Sequence, residues 1–172
     1  KDWISAVSRT VQARCEDMGW PLPTLIIEPG RWLVAQAGVA VYSAGTQKET
    51  ASGMRIIAVD GGMADNPRPA LYQAKYSACL VNNPLSKNGF PARLVGRFCE
   101  SGDVLIHEVS LPDVQRGDRL AIPVSGAYQL SMASNYNLTS RPAVLWLEQN
   151  QVEVLQERED LSLAPWWMYT GT

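Results

Sequence analysis

The chain has 172 residues, 46% of them hydrophobic, and a formal net charge of −2. That length and composition suit one good core or two small ones and exclude a disordered chain. The charge balance leaves no basic footprint for nucleic acid, and no apolar run approaches the ~20 residues that cross a bilayer as a helix.

In chain order, residues 3–18 are expected to be helical, because Ile4, Val7, Val11, Cys15 and Met18 recur at helical spacing. Asp2 or Ser5 suits the N-cap, and Gly19 followed by Pro21 stops the helix. Leu25-Ile26-Ile27 is a continuous apolar run after a helix, which predicts a buried parallel strand. The opening therefore reads as the end of an α/β unit. It starts Lys1-Asp2-Trp3 rather than with Met, as expected of an excised piece or processed product.

From Val39 to Glu157 the pattern changes to short β-rich runs separated by Gly, Pro and Asn. Strands are predicted at Val39–Ala44, Arg55–Val59, Ala78–Val81, Leu94–Phe98, Val104–Leu111, Arg119–Val124, Val144–Leu147 and Val152–Leu155. The spacing predicts a mainly β fold with short helices, an antiparallel sandwich or barrel. The short helices are expected at Trp32–Ala37, Leu71–Tyr76, Tyr128–Ala133 and Glu159–Leu163. Trp166-Trp167-Met168-Tyr169 is strongly apolar for a chain end and is expected to pack against this domain or another. Cys15, Cys79 and Cys99 form no disulfide framework or metal pattern, and a reducing, cytoplasmic setting is the simplest reading.

Four segments carry candidate chemistry. Glu28-Pro29-Gly30-Arg31 follows the predicted buried strand, the place where open and barrel α/β folds bind ligands. Gly30 lets the backbone approach closely, and Arg31 offers a bidentate fork for carboxylate or phosphate. Asp60–Tyr72 is a long polar loop in which Arg68 and Tyr72 stand four residues apart; taken alone, it also reads as a surface turn with a solvated arginine. Cys99-Glu100-Ser101-Gly102-Asp103 packs a thiol, two carboxylates, a hydroxyl and a glycine before a strand, a set costly to desolvate unless it faces a site. Gly126-Ala127-Tyr128 places a tyrosine at a glycine turn ahead of the polar stretch Ser131–Asn137, suited to a flat ring, a phosphate or an interface. His107, the single histidine, alternates within a strand and reads as edge or solvent-facing, while Cys15 and Cys79 read as core residues. Asp103 reads as structural, bonding loop amides.

The order and approximate spacing of Glu28–Arg31, Asp60–Tyr72, Phe98–Asp103 and Gly126–Asn137 resemble those of the diaminopimelate decarboxylases, members of the fold type III pyridoxal-phosphate decarboxylases. The resemblance runs from about Ile27 to Trp146. It implies a (β/α)8 barrel followed by a C-terminal β-domain, with residues 1–37 as the end of the barrel and 38–172 as the β-domain. It implies a homodimer with active sites shared between subunits, pyridoxal 5′-phosphate as cofactor, and conversion of meso-2,6-diaminopimelate to L-lysine and CO2. Glu28, Pro29, Gly30 and Arg31 would lie at the cofactor, with Arg31 also reaching substrate. Arg68 and Tyr72 would bind substrate carboxylate, and Tyr128 would contact both cofactor and substrate. Cys99 would donate the proton that replaces CO2, and Glu100 would hold the distal ammonium, both serving the partner's site. A thiol with its ordinary pKa near ~8.5 keeps its proton at neutral pH, as that role needs. The family's Schiff-base lysine motif is absent, and Lys48, Lys75 and Lys87 stand in other contexts, so this chain alone is expected to be inactive. Related decarboxylases of arginine, ornithine or carboxynorspermidine, and a free β-domain used for binding or assembly, are the alternatives.

Overall fold

The computed structural model describes residues 2–86 and 88–163. The chain divides into two compact units, Lys1–Gly30 and Arg31–Thr172. In the first, helix α1 spans Asp2–Met18, with Cys15 buried and Val7 and Val11 half-buried along the expected face. Gly19 adopts φ 64° and lets the Trp20 amide return to the Cys15 carbonyl at 2.8 Å, closing the helix end.

Leu25–Ile27 is not the buried strand its apolarity predicts. It pairs with no strand among the described residues, and Ile26 is 86% exposed. A parallel strand satisfies its amides and both apolar faces only between neighbouring strands, and this unit supplies one helix and no neighbour.

The second unit is mainly β, as expected. Strands β1 (Val39–Glu49), β2 (Arg55–Val59), β3 (Cys79–Leu80), β4 (Phe90–Val95), β5 (Val104–Leu111) and β6 (Arg119–Pro123) form a six-stranded sheet in the order β3-β6-β1-β2-β4-β5. Strands β7 (Val144–Glu148) and β8 (Gln151–Gln156) form a separate two-stranded ribbon. Period-two patterning builds the core: Tyr42 and Ala44, Ile57 and Val59, Ala92 and Leu94, and Leu120 and Ile122 are buried in pairs on four adjacent strands. On β5 the register against β4 slips, so Ile106 and Leu111 are both buried despite their opposite parity.

Two departures from expectation matter for the site. The sheet is not antiparallel throughout: β2 and β4 run parallel, with Ile57 opposite Leu94. Parallel neighbours cannot be joined by a hairpin, so the chain makes a long excursion over residues 60–89 before it returns as β4. In addition, β4 ends at Val95 instead of running on to Phe98. Gly96 packs so closely on the Asp103 carboxylate that a Cβ there would lie 2.1 Å from its oxygen, and the chain leaves the sheet at that point. Within the excursion, α2 covers Arg68–Tyr72 and not Leu71–Tyr76. Pro67 and Pro69 set its first turn, and Gln73, at φ 53°, ends it.

The remaining predicted helices appear as 3-10 turns at Gly30–Leu33, Ala35–Ala37, Leu130–Met132 and Leu161–Leu163, and a further one covers Tyr136–Leu138. The Trp166–Tyr169 segment and Lys87 lie outside the described residues. No described helix is long and apolar enough to cross a membrane.

Candidate functional site

The excursion starts as a tightly braced loop. Asp60 accepts the Ser43 amide at 2.8 Å, and Asp65 accepts the Gly62 amide at 2.8 Å and the Tyr42 hydroxyl at 2.5 Å. Burial raises the Asp65 carboxyl above the usual carboxylate range, against the lowering effect of the Tyr42 hydroxyl. Burial, reinforced by the Asp65 charge, holds the Tyr42 phenol protonated well above its ordinary range. The loop delivers the chain into α2, where the guanidinium of Arg68 lies 5.2 Å from the Tyr72 ring centre and 5.7 Å from that of Tyr128. Cation–π contact of this kind steadies the planar group without consuming its hydrogen-bond donors. The Arg68 Nε is buried without a hydrogen-bond partner. The arginine is therefore no solvated surface residue: it sits between two tyrosines with a donor edge left for an anion.

Tyr128 follows β6, which runs in the same direction as β2. The backbone of Gly126 passes Val34 so closely that a Cβ would meet the Val34 carbonyl at 2.1 Å, and the Gly126 amide donates to Ala35 at 3.0 Å. This contact, open only to glycine, anchors the turn two residues before Tyr128. Tyr128 itself adopts φ 58°, a left-handed conformation costly for a tyrosine, and its ring stays half-exposed.

The second cluster lies in the β4–β5 turn. Asp103, 4% exposed, accepts the Met63 amide at 2.7 Å and the Phe98 amide at 2.8 Å, so it is structural as expected. Its carboxyl is raised by burial, and the two amides pull the other way. Gly62 and Gly96 make room for it: a Cβ on either would lie 2.5 Å or less from a carboxylate oxygen. The turn this carboxylate holds presents Cys99, exposed and unpaired with any other cysteine, and Glu100. The Tyr136 hydroxyl donates to Glu100 Oε1, and the Tyr136 ring meets Phe98 edge-on at 5.8 Å and 65°. The sequence placed Tyr136 only in a polar stretch; a contact spanning 36 residues leaves no local signal.

The structure thus gathers Arg68, Tyr72 and Tyr128 in one group and Cys99 with Glu100 in another. Arg31 begins the second unit, half-buried, on the Gly30–Leu33 turn, while Glu28, Pro29 and Gly30 belong to the first unit, with Gly30 at φ 56°. His107 is exposed on the edge strand β5 and Cys15 is buried, as expected; Cys79 is only half-buried and lies outside the core cluster, because β3 is the other edge of the sheet.

Residues 24–126 match the family model of the pyridoxal-dependent decarboxylase C-terminal sheet domain, and the chain belongs to that family. Among individual proteins, it is similar to the diaminopimelate decarboxylase of Bacillus subtilis, 42% identical over 92% of this chain and 36% of that protein. It is also similar to the diaminopimelate decarboxylase of Bacillus methanolicus, 43% identical over 94% of this chain and 36% of that protein. Among solved structures, the diaminopimelate decarboxylase of M. jannaschii in complex with L-lysine superimposes with a TM-score of 0.77 at 35% identity, covering 88% of this chain and 34% of that one. The chain spans about a third of the length of the curated relatives it matches.

The residues present fit part of a pyridoxal-phosphate site. Within the second unit, Arg68 carries an unpaired buried donor and Tyr128 is half-exposed beside it. Of the described lysines, Lys48 lies on β1 and Lys75 beyond α2, both exposed.

Proposed function

We propose that this chain is the C-terminal part of a diaminopimelate decarboxylase, and that it supplies half of a site completed by the preceding barrel and by a partner subunit. The observation that carries the reading is Arg68, flanked by Tyr72 and Tyr128 with its Nε unpartnered. Arg68 with Tyr72 would grip one carboxylate of a diamino-diacid, and Arg31 another. Glu28, Pro29 and Gly30 would lie at the cofactor phosphate, and Tyr128 against cofactor and substrate. Pyridoxal phosphate, when bound, supplies the electron sink that lets CO2 leave. Cys99 would hold the replacement proton at Sγ, and Glu100 would draw in the substrate's distal ammonium. Both stand on an exposed turn, suited to serving the partner's site in a cytoplasmic homodimer. Residues 1–37 would close the barrel and 38–172 form the sheet domain.

The test is CO2 release by the full-length protein from meso-diaminopimelate, arginine, ornithine and carboxynorspermidine. Preference for diaminopimelate is expected; preference for any of the others refutes the substrate. The 172-residue chain mixed with pyridoxal phosphate is expected to release all of it on dialysis. Aldimine absorbance that survives dialysis and disappears on borohydride treatment would overturn the half-site reading.

A further inference from the structure

We propose that Tyr136 is a positioning residue for Glu100, fixing the direction in which that carboxylate meets the distal ammonium of the substrate. The inference rests on the proposed function for the identity of the cation, and on geometry for the pair itself. Glu100 sits on an exposed turn, where a free glutamate would sample several rotamers and lose that freedom on binding. The Tyr136 hydroxyl occupies Oε1 and leaves Oε2 for a ligand.

Tyr136 is itself held on two sides. Its ring meets the edge of Phe98, whose amide is pinned by Asp103 at 2.8 Å. Its backbone lies in a loop tied down by Glu159. The Glu159 carboxylate takes the Asn135 amide and the Arg141 backbone N–H, the latter at 3.1 Å. Asn135 also donates to the Thr139 carbonyl at 3.1 Å. Asn137 and Leu138 adopt φ 53° and 55°, so the loop accepts strained backbone to hold this shape.

A neutral donor suits the task. A lysine or arginine at this place would cancel the charge that attracts an ammonium, whereas a phenol orients the carboxylate and leaves it anionic. None of the ion pairs among the described residues involves Glu100. The hydrogen bond to Glu100 and, after it, desolvation raise the Tyr136 phenol above its ordinary range, and the neighbouring Glu100 charge acts in the same direction, so the proton stays on the tyrosine.

The experiment is a double-mutant cycle in the full-length enzyme with Tyr136→Phe, which keeps the ring against Phe98, and Glu100→Gln. Tyr136→Phe is expected to lower kcat/KM for diaminopimelate about tenfold, mainly through KM, as for loss of one bond to a charged group. In the Glu100→Gln background the same change is expected to cost less than about twofold. Equal losses in both backgrounds overturn the proposal. A second readout needs no turnover: NMR titration with tyrosine labelled at Cζ, the Tyr136 signal being the one missing from Tyr136→Phe. Its midpoint is expected above that of ordinary tyrosines and to fall in Glu100→Gln; a midpoint unmoved by Glu100→Gln overturns the pair. A wild-type enzyme that leaves diaminopimelate untouched would refute the proposed function, and the titration would then decide the pair alone.

Discussion

Replacing Asp103 by Ala removes the one carboxylate that the two loops share. Two backbone donors, Met63 N–H at 2.7 Å and Phe98 N–H at 2.8 Å, lose a charged acceptor. Bonds to a charged group contribute ~1.5–3 kcal/mol each, so the pair is worth roughly 3–6 kcal/mol gross. Burial of the carboxylate works against this, since it raises the Asp103 pKa despite both amides. The net loss for Asp103→Ala is therefore about 2–3 kcal/mol, with the buried Phe98 donor and the part-buried Met63 donor left unsatisfied. Asp103→Asn should lose about 1–2 kcal/mol, because one carboxylate oxygen becomes an NH2 facing an amide donor. The pH dependence follows from the sign of the shift. An acid whose folded pKa is raised binds its proton more tightly in the folded state. Its contribution to stability therefore improves as pH falls through the raised folded value towards the ordinary carboxylate pKa, and Asp103→Asn should lack this rise. Urea denaturation followed by circular dichroism measures all three effects; the midpoint should fall with an unchanged slope. An Asp103→Ala protein within about 0.5 kcal/mol of wild type would refute the account, because two charge-assisted bonds would then contribute almost nothing.

Gly96→Ala should destabilise the fold by about as much as Asp103→Ala, because its Cβ would lie 2.1 Å from the Asp103 carboxylate; an unchanged thermal midpoint would contradict this packing. Cys99→Ala in the full-length enzyme should lower kcat far more than it raises KM, and an unchanged kcat removes Cys99 from proton transfer. Glu159 is lowered from its ordinary range, first by the Arg141 backbone N–H and then by Asn135. The stability it contributes is present above the unfolded carboxylate pKa and lost as pH falls through the lowered folded value. Glu159→Gln should flatten that acid limb, and a denaturation profile with the same acid slope as wild type would rule it out.

The sequence was most legible where a signal was local. Strands β2 and β5 fall at their expected bounds because both are rich in β-branched residues, reinforced on β2 by period-two burial. Asp103 was legible as a bracing group because a carboxylate between a glycine and a strand has few other partners. The grouping of Arg68 with Tyr72 followed from four-residue spacing in a short helix, though the prolines moved that helix three residues earlier than its apolar content indicated. What was not legible was pairing. Leu25–Ile27 looks like a strand because its side chains are apolar, but a strand exists only where a neighbour receives its amides. For the same reason, nothing in Arg55–Val59 announces a parallel partner 35 residues later, and nothing near Tyr136 announces Glu100.

The parallel pair explains why the candidate site is where it is. In parallel neighbours the C-terminal ends of the strands lie at the same edge of the sheet. The Asp60–Tyr72 loop leaves the end of β2 and the Cys99–Asp103 turn leaves the end of β4, so the two emerge side by side. The Arg97 amide bonds the Gly61 carbonyl at 3.1 Å, and the Met63 amide bonds Asp103, fastening one loop to the other. The Ser134 amide then reaches the Ala64 carbonyl at 2.8 Å and brings the Tyr136 segment to the same place. An antiparallel β2–β4 pair would have sent the arginine loop and the cysteine turn to opposite edges, and a shared bracing carboxylate would have been geometrically impossible. The crossover that interrupts the antiparallel pattern is therefore the feature that assembles the arginine, thiol and carboxylate groups along one rim.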